Sequence, residues 1–316
     1  MNRLRRSFFL ALLPLILWAD AHIFVYHRFG DNKHTSTNTS IDTLRSQFEY
    51  LKKNGYKVVS LKRIHHAIKN NLPVNDKWVA LNIDDSYKSF YENGLPLFKE
   101  YGYPFTLFVY VEATDKHYGD FMSWDQIRDA QKYGEIGLHS YGHHHSVSLS
   151  MEALKQDTQK GLDSFQKELN FKPKFYAYPY GEYDNKVHIL IKSFDFDLIL
   201  NQNSGAVSKQ SDPYDLDRIA LTGEDLLKRK LRIKTLPTEW ITPQTWPENS
   251  VLKTIHAKIP TEISSIEYYV SAQGWKRIKV ENGEVNEDVN LKLTRTRTRL
   301  FLKTGNRQSS LILVRD

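Results

Sequence analysis

Three groups of polar residues in this 316-residue chain stand directly after, or at the end of, apolar runs. Asp84 and Asp85 follow Trp78-Val79-Ala80-Leu81-Asn82-Ile83, and His139 and His143 lie in HSYGH after Glu135-Ile136-Gly137-Leu138. The third, Tyr178-Pro179-Tyr180-Gly181, ends a run that begins at Phe175. Neighbouring carboxylates on a regular strand point to opposite faces, so Asp84 and Asp85 can serve one centre only where the chain is already turning. Two imidazoles four residues apart reach a shared metal ion from one helix face or from within a loop, and His144 and His145 extend the cluster. Pro179 and Gly181 make the backbone at Tyr180 stiff and turned, so that its amide can face a ligand closely. Each group alone also has an ordinary reading: a helix N-cap, a polar loop, a tight turn. The chain has no cysteine. Disulfides, thiolate zinc sites, iron–sulfur clusters and cysteine nucleophiles are therefore excluded, and any metal site must use nitrogen and oxygen ligands.

The elements that position these groups alternate. Strand-like runs rich in Val, Ile, Phe and Tyr occur at His22–His27, Lys57–Ser60, Trp78–Ile83, Phe105–Tyr110, Glu135–Leu138, Phe175–Ala177 and Asp197–Leu200. Helices are predicted between them, one capped by Ser40 and ending at Asn54-Gly55, another from Ser150 to Leu169. Apolar strands alternating with helices imply parallel pairing, in an open doubly wound sheet or a closed barrel. Such folds keep their chemistry at the carboxyl ends of strands, where all three groups lie.

After about residue 235 the pattern changes. Pro237, Pro243 and Pro247 punctuate residues 236–247, which suit a linker or an ordered interdomain strap. Residues 248–316 carry a period of two, with strand candidates at Ile266–Ser271, Trp275–Val280, Val289–Thr298, Leu300–Thr304 and Leu311–Arg315. Asn282-Gly283 and Gly305-Asn306 are turn candidates, so this region reads as a small antiparallel β-sandwich. The alternation Thr294-Arg295-Thr296-Arg297-Thr298-Arg299 places three guanidinium groups on one strand face, and a solvated edge strand is its expected setting. The alternative is contact with an anionic partner such as a membrane surface or an acidic glycan.

Residues 1–21 read as a secretory signal peptide. Arg3, Arg5 and Arg6 precede the apolar run Phe8–Trp18, and Ala19-Asp20-Ala21 offers a cleavage site. The protein is thus expected to be exported, to the periplasm or the extracellular space. Removing that segment lowers the formal charge from +7 to +5, and residues 251–316 hold twelve Lys or Arg against seven Asp or Glu. The body is consequently neutral and the distal domain basic, which argues against nucleic acid as a partner.

Asp84-Asp85, HSYGH and PYG, in this order on successive strand ends, resemble the motifs of NodB-type polysaccharide deacetylases, carbohydrate esterase family four. The resemblance spans roughly residues 22–220 and implies an α/β fold, a distorted (β/α)7 barrel, over residues 22–235. It implies that Asp85, His139 and His143 hold a divalent metal, that Asp84 is the general base and that the Tyr180 amide serves the oxyanion. Tyr26-His27, at the end of the first apolar run, is similar to the exported, circularly permuted poly-N-acetylglucosamine deacetylase branch, where a histidine so placed is the general acid. Ala177 stands where many members carry an arginine that orients the base. Either Arg218 supplies that charge from another strand, or Asp84 is held differently.

The resemblance therefore implies a metal-dependent hydrolase that removes N-acetyl groups from the amino sugars of an extracytoplasmic polysaccharide. Zinc suits a nitrogen-rich site, and iron, cobalt and nickel would also bind it. Tyr87, Trp124, Tyr141, Tyr178 and Tyr180 are candidate sugar-stacking aromatics. Two rival readings are a non-catalytic glycan-binding protein and a metal-dependent amidase acting on cell-wall peptides.

Overall fold

The computed structural model describes residues 20–221 and 226–315. Most of the expected signal peptide lies outside the described residues; its last two residues, Asp20 and Ala21, are buried, and Ala21 exchanges backbone hydrogen bonds of 2.8 Å with Val207. Among the described residues, no helix is long and apolar enough to cross a membrane.

The first region is built on an eight-stranded parallel sheet. Its strand order is Ile219–Ala220, His22–Tyr26, Trp78–Ile83, Thr106–Val109, Glu135–Leu138, Phe175–Ala177 and Leu198–Leu200, with Lys57–Val58 pairing beside Trp78–Val79. The two ends of this order approach each other through one short segment. Leu216 bridges Leu200, while Ile219 and Ala220 pair with Phe24 and Val25. The result is a curled parallel sheet with helices packed outside it, consistent with a (β/α) barrel.

Both faces of the strands are buried, which is why they read as continuous apolar runs instead of alternating ones. Val79, Leu81 and Ile83 join the large cluster shared with the helices, whereas Ala80, Phe108, Ala177 and Leu200 belong to a second cluster on the inner side. Phe108 fills that interior against Gly137, where an added Cβ would stand 2.5 Å from the ring. Ser40 and Ser150 cap the Ile41–Lys53 and Met151–Leu169 helices by accepting from the amides of Thr43 and Ala153, satisfying donors that the first turn leaves free.

The second region contains a five-stranded and a three-stranded sheet, largely antiparallel, that share one apolar cluster including Leu252, Ile266, Tyr268, Leu300 and Leu302. Several details differ from the sequence reading. Residues 236–247, expected as a linker or an ordered strap, are ordered and part of the second region: Glu239–Thr242 pairs with Val251–Lys258, and Leu236 is buried in the shared cluster. Lys234–Thr235 already belongs to the second region's sheet, pairing with Arg307–Gln308. Finally, the expected Val289–Thr298 strand is broken: Glu284–Lys292 and Arg297–Thr304 are separate strands with Arg295 in the connection, and Arg297–Thr304 lies between Ser265–Val270 and Arg307–Val314, so Arg297 and Arg299 do not sit on a solvated edge. Both instead reach across to the first region.

Candidate metal and catalytic site

The Trp78–Ile83 strand delivers Asp84 and Asp85 to the carboxyl end of the sheet, where the Asp84 amide still donates to the Tyr26 carbonyl (2.9 Å). At Asp85 the chain enters the left-handed region (φ 71°), followed by Ser86 (φ 56°). This turn brings two consecutive carboxylates to the same imidazole, that of His139, which a regular strand forbids. Ser140 and His143 are left-handed as well (φ 62° and 52°), so the two histidines are brought together by a loop and not by a helix face. The Asp157 carboxylate, on the Met151–Leu169 helix, fastens that loop by accepting from the amides of Tyr141 (3.0 Å) and Gly142 (2.7 Å). Non-glycine residues held in this part of φ/ψ space cost energy, and they gather here around one cavity.

Asp85, His139 and His143 offer ligand atoms that all lie within 4.8 Å of one another. Asp85 Oδ1 stands 3.0 Å from His143 Nε2 and 3.4 Å from His139 Nε2, yet it is buried and forms no aligned hydrogen bond. His139 Nδ1 is 2.8 Å from the Ala177 carbonyl, an acceptor that keeps the proton on Nδ1 and leaves the Nε2 lone pair facing Asp85. Three lone-pair donors that converge without satisfying one another suit a divalent cation among them, and the nitrogen and oxygen donor set fits one.

Asp84 is fully buried and clamped by Arg218, with Nη1 donating to Oδ1 (2.7 Å) and Nη2 to Oδ2 (2.9 Å). Arg218 Nε donates to the Asn201 carbonyl (2.8 Å), so the planar guanidinium is fixed on both edges. The charge that Ala177 cannot provide thus reaches Asp84 from the segment that closes the sheet. Burial pushes the Asp84 pKa up, but the Arg218 guanidinium outweighs it and keeps the carboxyl below its ordinary value. Asp84 Oδ2 lies 3.8 Å from His139 Nε2, which places this carboxylate beside the candidate ligand set.

A cavity of about 390 Å³ is lined by Asp85, His139 and His143, while Asp84 and Arg218 are buried and do not line it. His27 lines it, with Nδ1 buried and without a hydrogen-bond partner, and Tyr180 (φ 58°) forms part of the rim. Of the five aromatic candidates, Tyr87 and Tyr180 line the cavity. Trp124, Tyr141 and Tyr178 are instead buried in the core cluster, so they are packing residues. Sequence reading missed Tyr110, Phe121, Glu182, Gln202 and Arg297, all of which line the cavity. Tyr110 directly follows the Thr106–Val109 strand and could have been found by inspecting every strand end. Arg297 carried no such signal, because it comes from the second region.

Comparison with known proteins is concordant. A family model described as Polysaccharide deacetylase matches residues 71–199. The chain is 23% identical over 244 residues to the poly-beta-1,6-N-acetyl-D-glucosamine N-deacetylase of Escherichia coli (strain K12), which covers 63% of this chain and 35% of that protein. It is 28% identical over 223 residues to the protein of the same name from Staphylococcus aureus (strain MRSA252), covering 65% of this chain and 76% of that one. The chain therefore spans only about a third of the length of the E. coli relative. Among solved structures, the Streptococcus pyogenes deacetylase PplD in complex with acetate superposes with a TM-score of 0.61 at 23% identity, covering 67% of this chain and 98% of that one. IcaB from Ammonifex degensii gives a TM-score of 0.60 at 22% identity, covering 67% and 97%. These two likenesses establish the fold.

Proposed function

Starting from a chain that carries a polysaccharide deacetylase domain, we propose that it hydrolyses the N-acetyl groups of amino sugars within an extracytoplasmic polysaccharide. The observation that carries this reading is the meeting of Asp85, His139 and His143 within 4.8 Å of one another, beside an Asp84 clamped by Arg218. The names of the curated relatives favour poly-N-acetylglucosamine as the substrate class. In this reading the first region is a distorted (β/α)7 barrel and the second a β-sandwich accessory module. Export rests on the amino-terminal sequence pattern described above.

Asp85, His139 and His143 would hold the divalent ion, most simply zinc. Bound there, it would supply Lewis-acid polarisation of the acetamide carbonyl and a more acidic water. Asp84 takes the proton of the attacking water. Arg218 keeps that carboxylate ionised and oriented, so no rotation is needed at the moment of transfer. The Tyr180 amide donates to the carbonyl oxygen as negative charge develops on it. His27, which lines the cavity, gives a proton to the departing amine. Tyr87, Tyr110 and Phe121 provide faces on which a sugar ring can rest.

His27→Ala is expected to lower kcat by ~10²–10⁴-fold, the usual contribution of a general acid, without loss of bound metal. Unchanged acetate release from this variant would remove His27 from the mechanism. The overall test is elemental analysis of the purified protein together with acetate release from a panel of N-acetylated glycans. Acetate from chito-oligomers or poly-N-acetylglucosamine with a stoichiometric divalent metal supports the reading. Amine release from peptide stems without acetate would favour an amidase, and glycan binding without either product a lectin-like role.

A further inference from the structure

The second region reaches the site through two arginines of one strand face. Arg297 Nη2 donates to the Tyr180 carbonyl (2.7 Å), and its Nε forms an ion pair with Glu182 Oε1 at 2.8 Å. The Glu182 carboxylate is fully buried, and its other oxygen lies 2.6 Å from His145 Nδ1. His145 in turn stacks on the Tyr180 ring, with centroids 4.1 Å apart and planes at 10°. Two residues along the strand, Arg299 Nη1 donates to the Gln202 carbonyl (2.9 Å). Gln202 packs so closely on the turn that a Cβ at Gly181 would lie 2.3 Å from its own Cβ.

The turn gripped in this way is conformationally expensive. Tyr180 and Gly181 are consecutive left-handed residues (φ 58° and 70°), and tyrosine has no intrinsic preference for that region. Such a backbone persists only where surrounding contacts over-determine it. Here the contacts come from both ends of the peptide: the Arg297 guanidinium holds the Tyr180 carbonyl, and the Glu182 carboxylate that it also pairs with anchors the next residue but one.

We propose that Arg297 of the second region is a positioning residue for this site, holding the Pro179–Glu182 turn so that the Tyr180 amide faces the developing oxyanion. The second region is then a working wall of the catalytic cavity and not a separate appendage. The oxyanion part of this proposal rests on the deacetylase reading above; the holding of the turn does not. The guanidinium meets both groups at once, donating to the Tyr180 carbonyl through Nη2 while its Nε lies against Glu182 as an ion pair without an aligned hydrogen bond.

The test uses the full chain and the variants Arg297→Ala, Arg297→Lys, Glu182→Gln and Ser310→Ala. Ser310 accepts from the Ser204 amide (2.6 Å) and so breaks a contact between the regions that does not touch the turn. Thermal melting and metal content establish that each variant is folded and loaded. With wild-type activity in hand, Arg297→Ala is expected to lower kcat by ~10–100-fold with KM within about threefold, the size of effect that follows a small misplacement of a transition-state donor. Arg297→Lys should fall between, Ser310→Ala should keep wild-type kcat, and adding Glu182→Gln to Arg297→Ala should cost little more than either alone. Amide hydrogen exchange gives a readout independent of turnover: the 178–183 segment should exchange ~10-fold faster in Arg297→Ala and at the wild-type rate in Ser310→Ala. Wild-type exchange in Arg297→Ala, or an equal acceleration in Ser310→Ala, overturns the proposal. An inactive wild-type protein whose Arg297→Ala variant still loosens the turn overturns the deacetylase reading and leaves the holding role standing.

Discussion

Replacing Asp84 with asparagine is expected to lower acetate release by ~10²–10⁴-fold while leaving the metal content unchanged. The amide keeps the shape of the side chain but cannot accept a proton from water. Asp84 lies outside the proposed ligand triad, with its two oxygens taken by Arg218, so the ion should remain. The same change has a second, separable consequence. Arg218 has a fully buried side chain and would face a neutral partner, and breaking a buried ion pair from one side typically costs about 3–5 kcal/mol. The melting temperature should therefore fall together with the rate. Rate measurements at a temperature well below the midpoint, with metal analysis on the same sample, separate the two effects. Wild-type turnover in the variant would dismiss Asp84 as the base.

Asp85→Asn should have the opposite signature, with metal lost first and activity lost because of it. Asparagine is one of the few residues that tolerates the left-handed backbone found at this position, so the turn itself should survive. What disappears is the anionic ligand, leaving His139 and His143 with a weak neutral oxygen between them. Loss of an outer partner of a metal ligand alone commonly costs 10–100-fold in affinity, so loss of the ligand should cost more than ~100-fold. Titration of metal-free protein with zinc, read by calorimetry, measures this directly, and chelation of the wild-type protein should reproduce the inactive state reversibly. An Asp85→Asn protein that retains stoichiometric metal would show that the ion sits elsewhere.

Much of the scaffold was legible in the residues. Trp78–Ile83, Glu135–Leu138 and Phe175–Ala177 form strands with the expected boundaries, because runs of branched and aromatic residues buried on both faces have few alternatives. Serines at positions 40 and 150 cap the predicted helices, since the cap is a local hydrogen bond. The second region was harder to read. Val251–Lys258 forms a strand outside the expected candidates, and the proline-punctuated stretch before it contributes Glu239–Thr242 to the same sheet. In a small two-sheet region, long-range pairing decides which segments become strands, and prolines at its margin do not prevent it.

The candidate site divides in the same way. Residue type and spacing singled out the carboxylate pair, the two histidines and the turn at Tyr180, because each is carried within a few consecutive residues at a strand end, whereas His27 entered only through the family resemblance. Only the tertiary structure decided that Arg218, 134 residues from Asp84, is its partner, and that Arg297, 117 residues from Tyr180, grips the turn. It also sorted the aromatics, placing Tyr87 and Tyr180 at the cavity and Trp124, Tyr141 and Tyr178 in the core. Backbone sterics and side-chain chemistry act over a few residues and leave a mark in the sequence. Closure of a curled sheet and docking of one region on another join distant segments, and the partners they select have no local signature.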